Sequence, residues 1–156
     1  DEPRLRIDPA KVARSGYEAL RVLEAYVRQS GLEARLLALV KLRASQINGC
    51  AYCVDRHTKD ARAAGETEQR LHLLAAWREV PGYTERERAA LAWTEAVACG
   101  AGHVPDEIYR DVRERFDQKE LVDLALAVVA LNAWNRLASA LQTSPGRRQS
   151  RSSVAN

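Results

Sequence analysis

Between Leu121 and Trp134 only Asp123 and Asn132 interrupt an apolar sequence, so a helix made of this stretch carries apolar side chains nearly all the way round. Such a helix must be covered on most sides. A chain of 156 residues sets an expectation of one domain. In so small a domain the helix belongs either at the centre of a bundle or between subunits, and the second reading makes the protein a homo-oligomer. The longest uninterrupted apolar run, Leu124 to Leu131, is too short to cross a bilayer. No apolar N-terminal segment of signal type stands before it, so the expected setting is cytoplasmic, away from membranes.

The rest of the chain is punctuated as helices. Asp8-Pro9 pairs a carboxylate cap with proline at the first helical position, opening a helix that runs to about Arg28 and ends near Gly31. A second helix starts near Leu32 and stops at Asn48-Gly49. A third runs from about Cys50 to Ala64 before Gly65, and a fourth from Thr67 to Trp77. Thr84 with Glu87, and Asp117 with Glu120, have capping-box spacing. They open helices toward Cys99 and Leu141, and Pro105 opens one between them that ends near Phe116. No comparable segment alternates with period two. The expected fold is an all-α, single-domain bundle of about six or seven helices over residues 1–142.

Charge supports this division. Arg147, Arg148 and Arg151 lie in the stretch 143–156, and without it 21 basic residues face 21 acidic ones. The body is neutral and lacks the clustered basic face that phosphate binding needs, which argues against a nucleic-acid partner. The stretch 143–156 reads as a basic, flexible tail.

The chemistry concentrates in Ser45-Gln46-Ile47-Asn48-Gly49-Cys50-Ala51-Tyr52-Cys53-Val54-Asp55-Arg56-His57. At roughly 100° per helical residue, Cys53 lies about 60° back from Cys50, and His57 about 40° forward of Cys53. All three share one stripe over two turns. The break at Asn48-Gly49 puts the pair at a helix N-terminus, where free N–H groups and the dipole favour a thiolate. His57 can take a thiol proton. The dipole most favours Cys50 and the histidine most favours Cys53, so geometry leaves the nucleophile open. Zinc is the competing use of Cys50, Cys53 and His57, with His72 or His103 as a fourth ligand. No second C-x-x-C or H-x-x-x-H exists to complete the usual pair of knuckles, and the reading names no metal and no organic cofactor. Cys99 is expected as a small core residue, His72 on a helix face and His103 as a helix cap. Trp77, Trp93 and Trp134 are expected as core or interface anchors.

The motif Asn48-Gly49-Cys50-Ala51-Tyr52-Cys53, with His57 following, resembles the AhpD-like alkylhydroperoxidases of the carboxymuconolactone decarboxylase superfamily. The likeness extends through Lys59-Asp60-Ala61-Arg62, Trp77-Arg78-Glu79, Glu85-Arg86-Glu87-Arg88-Ala89-Ala90-Leu91 and His103-Val104-Pro105 to Asn132-Ala133-Trp134-Asn135-Arg136. It implies a helical subunit assembled as trimers or hexamers, and thiol-dependent reduction of alkyl hydroperoxides or hydrogen peroxide. It also implies that Cys53 attacks the peroxide, that Cys50 resolves the product to a disulfide, and that His57 belongs to a proton relay. Tyr52 stands where some members carry histidine. An external dithiol or protein reductant would close the cycle.

One position departs from the pattern. The family glutamate twelve residues before the first motif cysteine is here Ala38, whose methyl group passes no proton. General acid–base help is typically worth about 10²–10⁴-fold, so the peroxidase is expected to be weakened. The same departure keeps two alternatives in view: a general disulfide oxidoreductase, and a non-catalytic, redox-sensing oligomeric scaffold. Decarboxylation is disfavoured because nothing in it calls for a helical dithiol.

Overall fold

A computed structural model describes residues 5–100 and 102–143. Among them the chain forms eight α-helices and no strand: α1 Pro9–Val12, α2 Arg14–Arg28, α3 Ala34–Asn48, α4 Ala51–Ala63, α5 Glu68–Leu73, α6 Glu85–Cys99, α7 Asp106–Arg115 and α8 Gln118–Ala140. A 3₁₀ segment, Leu74–Glu79, extends α5. The all-α expectation holds, with one more helix than expected. The first helix breaks at Ala13 (φ −127°, ψ 56°), where neither proline nor glycine marks the sequence. The basic tail expected from residue 143 lies, apart from Thr143, outside the described residues.

The centre of the molecule is α3. Leu36, Leu37, Val40 and Ala44 face a core shared with α6, α7 and α8, where Leu91's neighbours Ala89 and Ala90 meet Val112, Phe116, Leu124 and Val128. Ala38, Leu39 and Leu42 face the opposite way, into a second core with Ala61, Leu71, Leu74, Trp77 and Tyr83. The long apolar helix α8 packs one side on α3 through Leu121, Leu124, Ala127, Val128 and Leu131. By length and composition it is able to cross a membrane, yet it serves here as a core helix whose buried Asp123 and Asn135 are both hydrogen-bonded. Its other side is open: Val122 is 58% exposed and Val129 51%, and on α2 Val22 (68%) and Tyr26 (46%) are exposed too.

A buried and a half-buried carboxylate pin these layers together. Asp123 accepts from Tyr26 Oη (2.7 Å) and Lys119 Nζ (2.5 Å), tying α8 to α2. Glu95 accepts from Trp77 Nε1 and Arg43 Nε, both at 2.9 Å, and pairs with Arg78 at 2.6 Å. Burial pushes both carboxyls up, but their hydrogen-bond donors outweigh it and hold both below the ordinary carboxylate range. A group with a depressed folded pKa binds fewer protons folded than unfolded, so its stabilisation is complete at neutral pH and drains away as pH falls through the folded value. Stability should therefore be level from neutrality down to about pH 4, the unfolded carboxylate range, and decline steeply below it. Urea melts at stepped pH check this; a decline beginning near pH 6 would contradict it.

Candidate active site

The site begins where α3 ends. Gly49 takes the left-handed conformation (φ 65°) that glycine adopts without strain, and a side chain there would meet nothing within 4 Å, so the backbone alone selects it. Gly49 N donates to Gln46 O (3.2 Å) and Cys50 N to Ser45 O (3.3 Å), the paired bonds of a Schellman ending. This turn delivers Cys50 in extended conformation (φ −85°, ψ 97°) as the N-cap of α4, and its Sγ accepts from Cys53 N at 3.3 Å. Sulfur thus does what a serine or aspartate oxygen does at other helix starts.

Cys50 and Cys53 form a disulfide, with Cα atoms 5.3 Å apart, and both are 3% exposed. His57, 9% exposed, follows one turn beyond Cys53. Its Nδ1 lies 3.4 Å from Asp60 Oδ2 but is not aligned for a hydrogen bond. The imidazole, ahead of Arg56 and Lys41, holds the Asp60 carboxyl below its ordinary value against the opposing effect of burial. A polar web fixes the turn from the other side. Asn48 Nδ2 donates to Asn132 Oδ1 (2.7 Å) and Asn135 Oδ1 (2.9 Å) on α8, and Asn135 Nδ2 donates to Ser45 Oγ (3.3 Å). Because these groups are buried or half-buried and partnered, displacing the turn leaves them unsatisfied, a cost of about 1–3 kcal/mol each.

A cavity of about 570 Å³ opens over the disulfide, bounded by α2, α4, α8 and the segment before α1. Cys53, His57 and Tyr52 line it; Cys50 does not. The four residues singled out by the motif are thus brought together, with only one of the two cysteines lining the cavity. Ala38 sits on α3 in the second core, 9% exposed, the core to which α4 contributes Ala61. Lys41, one turn further along α3, bonds Glu24 of α2.

Three single-residue expectations are corrected. Cys99 is exposed at the end of α6, not in the core. His103 caps nothing: the N-cap of α7 is Pro105, without a side-chain bond. Trp77 and Trp93 are core residues, but half-buried Trp134 lines the cavity with its ring edge-to-face on Tyr17, 5.1 Å between centroids. His72 is exposed on α5, the helix-face position expected for it. Sequence reading missed Tyr17, Glu24 and Arg28, which no spacing ties to the motif, and the side-chain role of Asp60, whose place three residues after His57 on one helix was a legible signal.

Known proteins resemble this chain in sequence and fold. The sequence profile of the carboxymuconolactone decarboxylase family matches residues 15–96. The uncharacterized protein YdfG of Bacillus subtilis is 42% identical over 137 residues, covering 87% of this chain and 93% of its own. The crystal structure of ATU0492 from Agrobacterium tumefaciens, a protein of unknown function named as a candidate antioxidant defence protein AhpD, is 42% identical. It superposes with a TM-score of 0.88, covering 93% of this chain and all of its own. The alkylhydroperoxidase AhpD core of a peroxidase-related protein from Ralstonia eutropha shares the fold at 20% identity and a TM-score of 0.77, over 86% of this chain and 72% of its own. The chain belongs to the carboxymuconolactone decarboxylase family and has an AhpD-like fold.

Proposed function

We propose that the chain is a thiol-dependent peroxidase that reduces alkyl hydroperoxides or hydrogen peroxide through the Cys50–Cys53 pair. The observation that carries this reading is a disulfide at a helix N-terminus with one of its cysteines, Cys53, and His57 lining a cavity. The Cys53 thiolate attacks the terminal peroxide oxygen and the O–O bond breaks. That oxygen stays on sulfur as a sulfenic acid, and the alkoxide leaves as an alcohol with a proton passed through His57, Tyr52 or water. The Cys50 sulfur then attacks the Cys53 sulfur; the S–O bond breaks and water leaves with the Cys50 proton. The peroxide gains two electrons and the dithiol loses two, which an external dithiol or partner protein restores. The exposure of Val122, Val129 and Val22 supports assembly with further copies of the chain.

Treating the reduced protein with one equivalent of cumene hydroperoxide should leave the peptide bearing Cys50 and Cys53 lighter by two hydrogens in mass spectrometry. An unchanged pair of thiols sinks the proposal.

The apolar site at residue 38 favours one second reading, exchange with disulfides and not peroxides. Ala38→Glu separates the two. Restoring a carboxylate beside α4 should raise peroxide turnover, by up to about 10²-fold. Unchanged peroxide turnover with brisk reduction of a small disulfide would favour the second reading.

A further inference from the structure

We infer that the cavity over Cys53 takes organic hydroperoxides that carry an anionic group on an aryl or hydrocarbon body, an assignment that rests on the peroxidase reading above. Size comes first. At about 570 Å³ the cavity dwarfs hydrogen peroxide, a molecule near the roughly 30 Å³ share of one water, and falls within the range of about 300–1,000 Å³ typical of sites for small organic ligands.

The walls give the body of the ligand. Tyr17 and Trp134 present an edge-to-face aromatic corner, rings 78° apart, and Leu131 and Leu137 continue it along α8. Such a surface prefers an aryl or hydrocarbon group.

The charges give its sign. Five charged side chains line the cavity: Asp8, Arg21, Glu24, Arg28 and Arg56. Of the two carboxylates, Glu24 is bonded by Lys41, and Asp8 accepts from Ala10 N (3.1 Å) with only a loose pair, 3.7 Å, to Lys11. Arg21 is taken by Glu18 at 3.3 Å. Arg56 has only a loose pair, 3.9 Å from an Asp60 that also faces His57. Arg28 has no carboxylate within the 4.0 Å pairing distance among the described residues. Among the described residues the balance of loosely held charge is therefore positive, from guanidinium on α2 and on the turn of α4 after Cys53. A guanidinium fork is matched to carboxylate. A ligand with its peroxide at Cys53, its body on the aromatic corner and a carboxylate toward Arg28 and Arg56 uses each wall.

The test compares cumene hydroperoxide with its para-carboxylate, which differ by one charge on the same body. The acid should show a kcat/KM about tenfold higher at low salt, an advantage that shrinks as salt is added. In the Arg28→Gln, Arg56→Gln double variant the ratio between the two substrates should collapse to within about twofold. Calorimetric titration of Cys53→Ser with the two corresponding alcohols reads the cavity without chemistry. If neither hydroperoxide is consumed but the acidic alcohol binds about tenfold tighter, the peroxidase reading fails and the anion-binding assignment stands. Equal affinity and equal kcat/KM for charged and uncharged probes, or no binding of either, overturn the assignment.

Discussion

Cys53→Ser should lower hydroperoxide turnover by roughly 10⁴-fold or more, the scale at which removing a covalent nucleophile removes the reaction path. Cys50→Ser should behave differently. The first half-reaction needs only the cysteine that lines the cavity, so this variant should release one equivalent of alcohol per subunit and then stop. Cys53 should persist as a sulfenic acid, trapped by dimedone, and move on to sulfinic acid with excess peroxide. The asymmetry follows from placement: Cys53 lines the cavity with His57, whereas Cys50 serves as the helix cap. A burst measured in both variants decides the assignment. If Cys53→Ser gives the burst and Cys50→Ser does not, the helix dipole has chosen the nucleophile and the roles are reversed.

Arg70→Ala should be among the most damaging substitutions of a charged residue, costing about 3–5 kcal/mol and lowering Tm by roughly 10 °C. Glu66 has a side chain with no exposed surface, held between Arg35 and Arg70, with Arg70 Nε at 2.8 Å. Arg70 also binds Glu87 at 2.7 Å and Gly82 O, and its guanidinium stacks over the Tyr83 ring at 4.4 Å. Alanine removes all of these at once and leaves a buried carboxylate with a single partner that is itself 46% exposed. Breaking a buried pair by deleting one member is costly because the other charge stays behind in low dielectric. Urea denaturation of the two proteins checks this, and a difference under about 1 kcal/mol would place the cluster among ordinary surface ion pairs.

Local signals carried much of the fold, and they carried it where a side chain talks to its own backbone. Both capping boxes form, Thr84 with Glu87 and Asp117 with Glu120, and both open helices as expected. Asn48-Gly49 ends α3 because a left-handed residue can be recognised without knowing its surroundings. Elements set by packing were harder to read. α3 starts at Ala34 behind Glu33, which makes no side-chain cap bond, while Leu32 is buried before the helix begins. The segment Leu74–Glu79 tightens into a 3₁₀ turn as Leu74 and Trp77 reach the second core. The site divides the same way. Cys50, Cys53 and His57 fall on one stripe because helical spacing alone puts them there. Tyr17, Glu24, Arg28 and Trp134 reach the cavity only through the docking of α2 and α8 beside α4, and no local pattern encodes that docking.

In the proposed cycle the atom that starts α4 is also one of the two that would exchange electrons. As a disulfide sulfur, Cys50 Sγ is a neutral and weak acceptor for the Cys53 amide 3.3 Å away; in the reduced pair it would accept the same proton as a thiol, and with the added strength of a charge once that thiol gives up its proton. Each turn of the proposed cycle would therefore loosen and tighten one backbone bond of the opposite cysteine. The amide proton of Cys53 would then be a built-in gauge of oxidation level, legible to a magnetic-resonance spectrometer with no added dye.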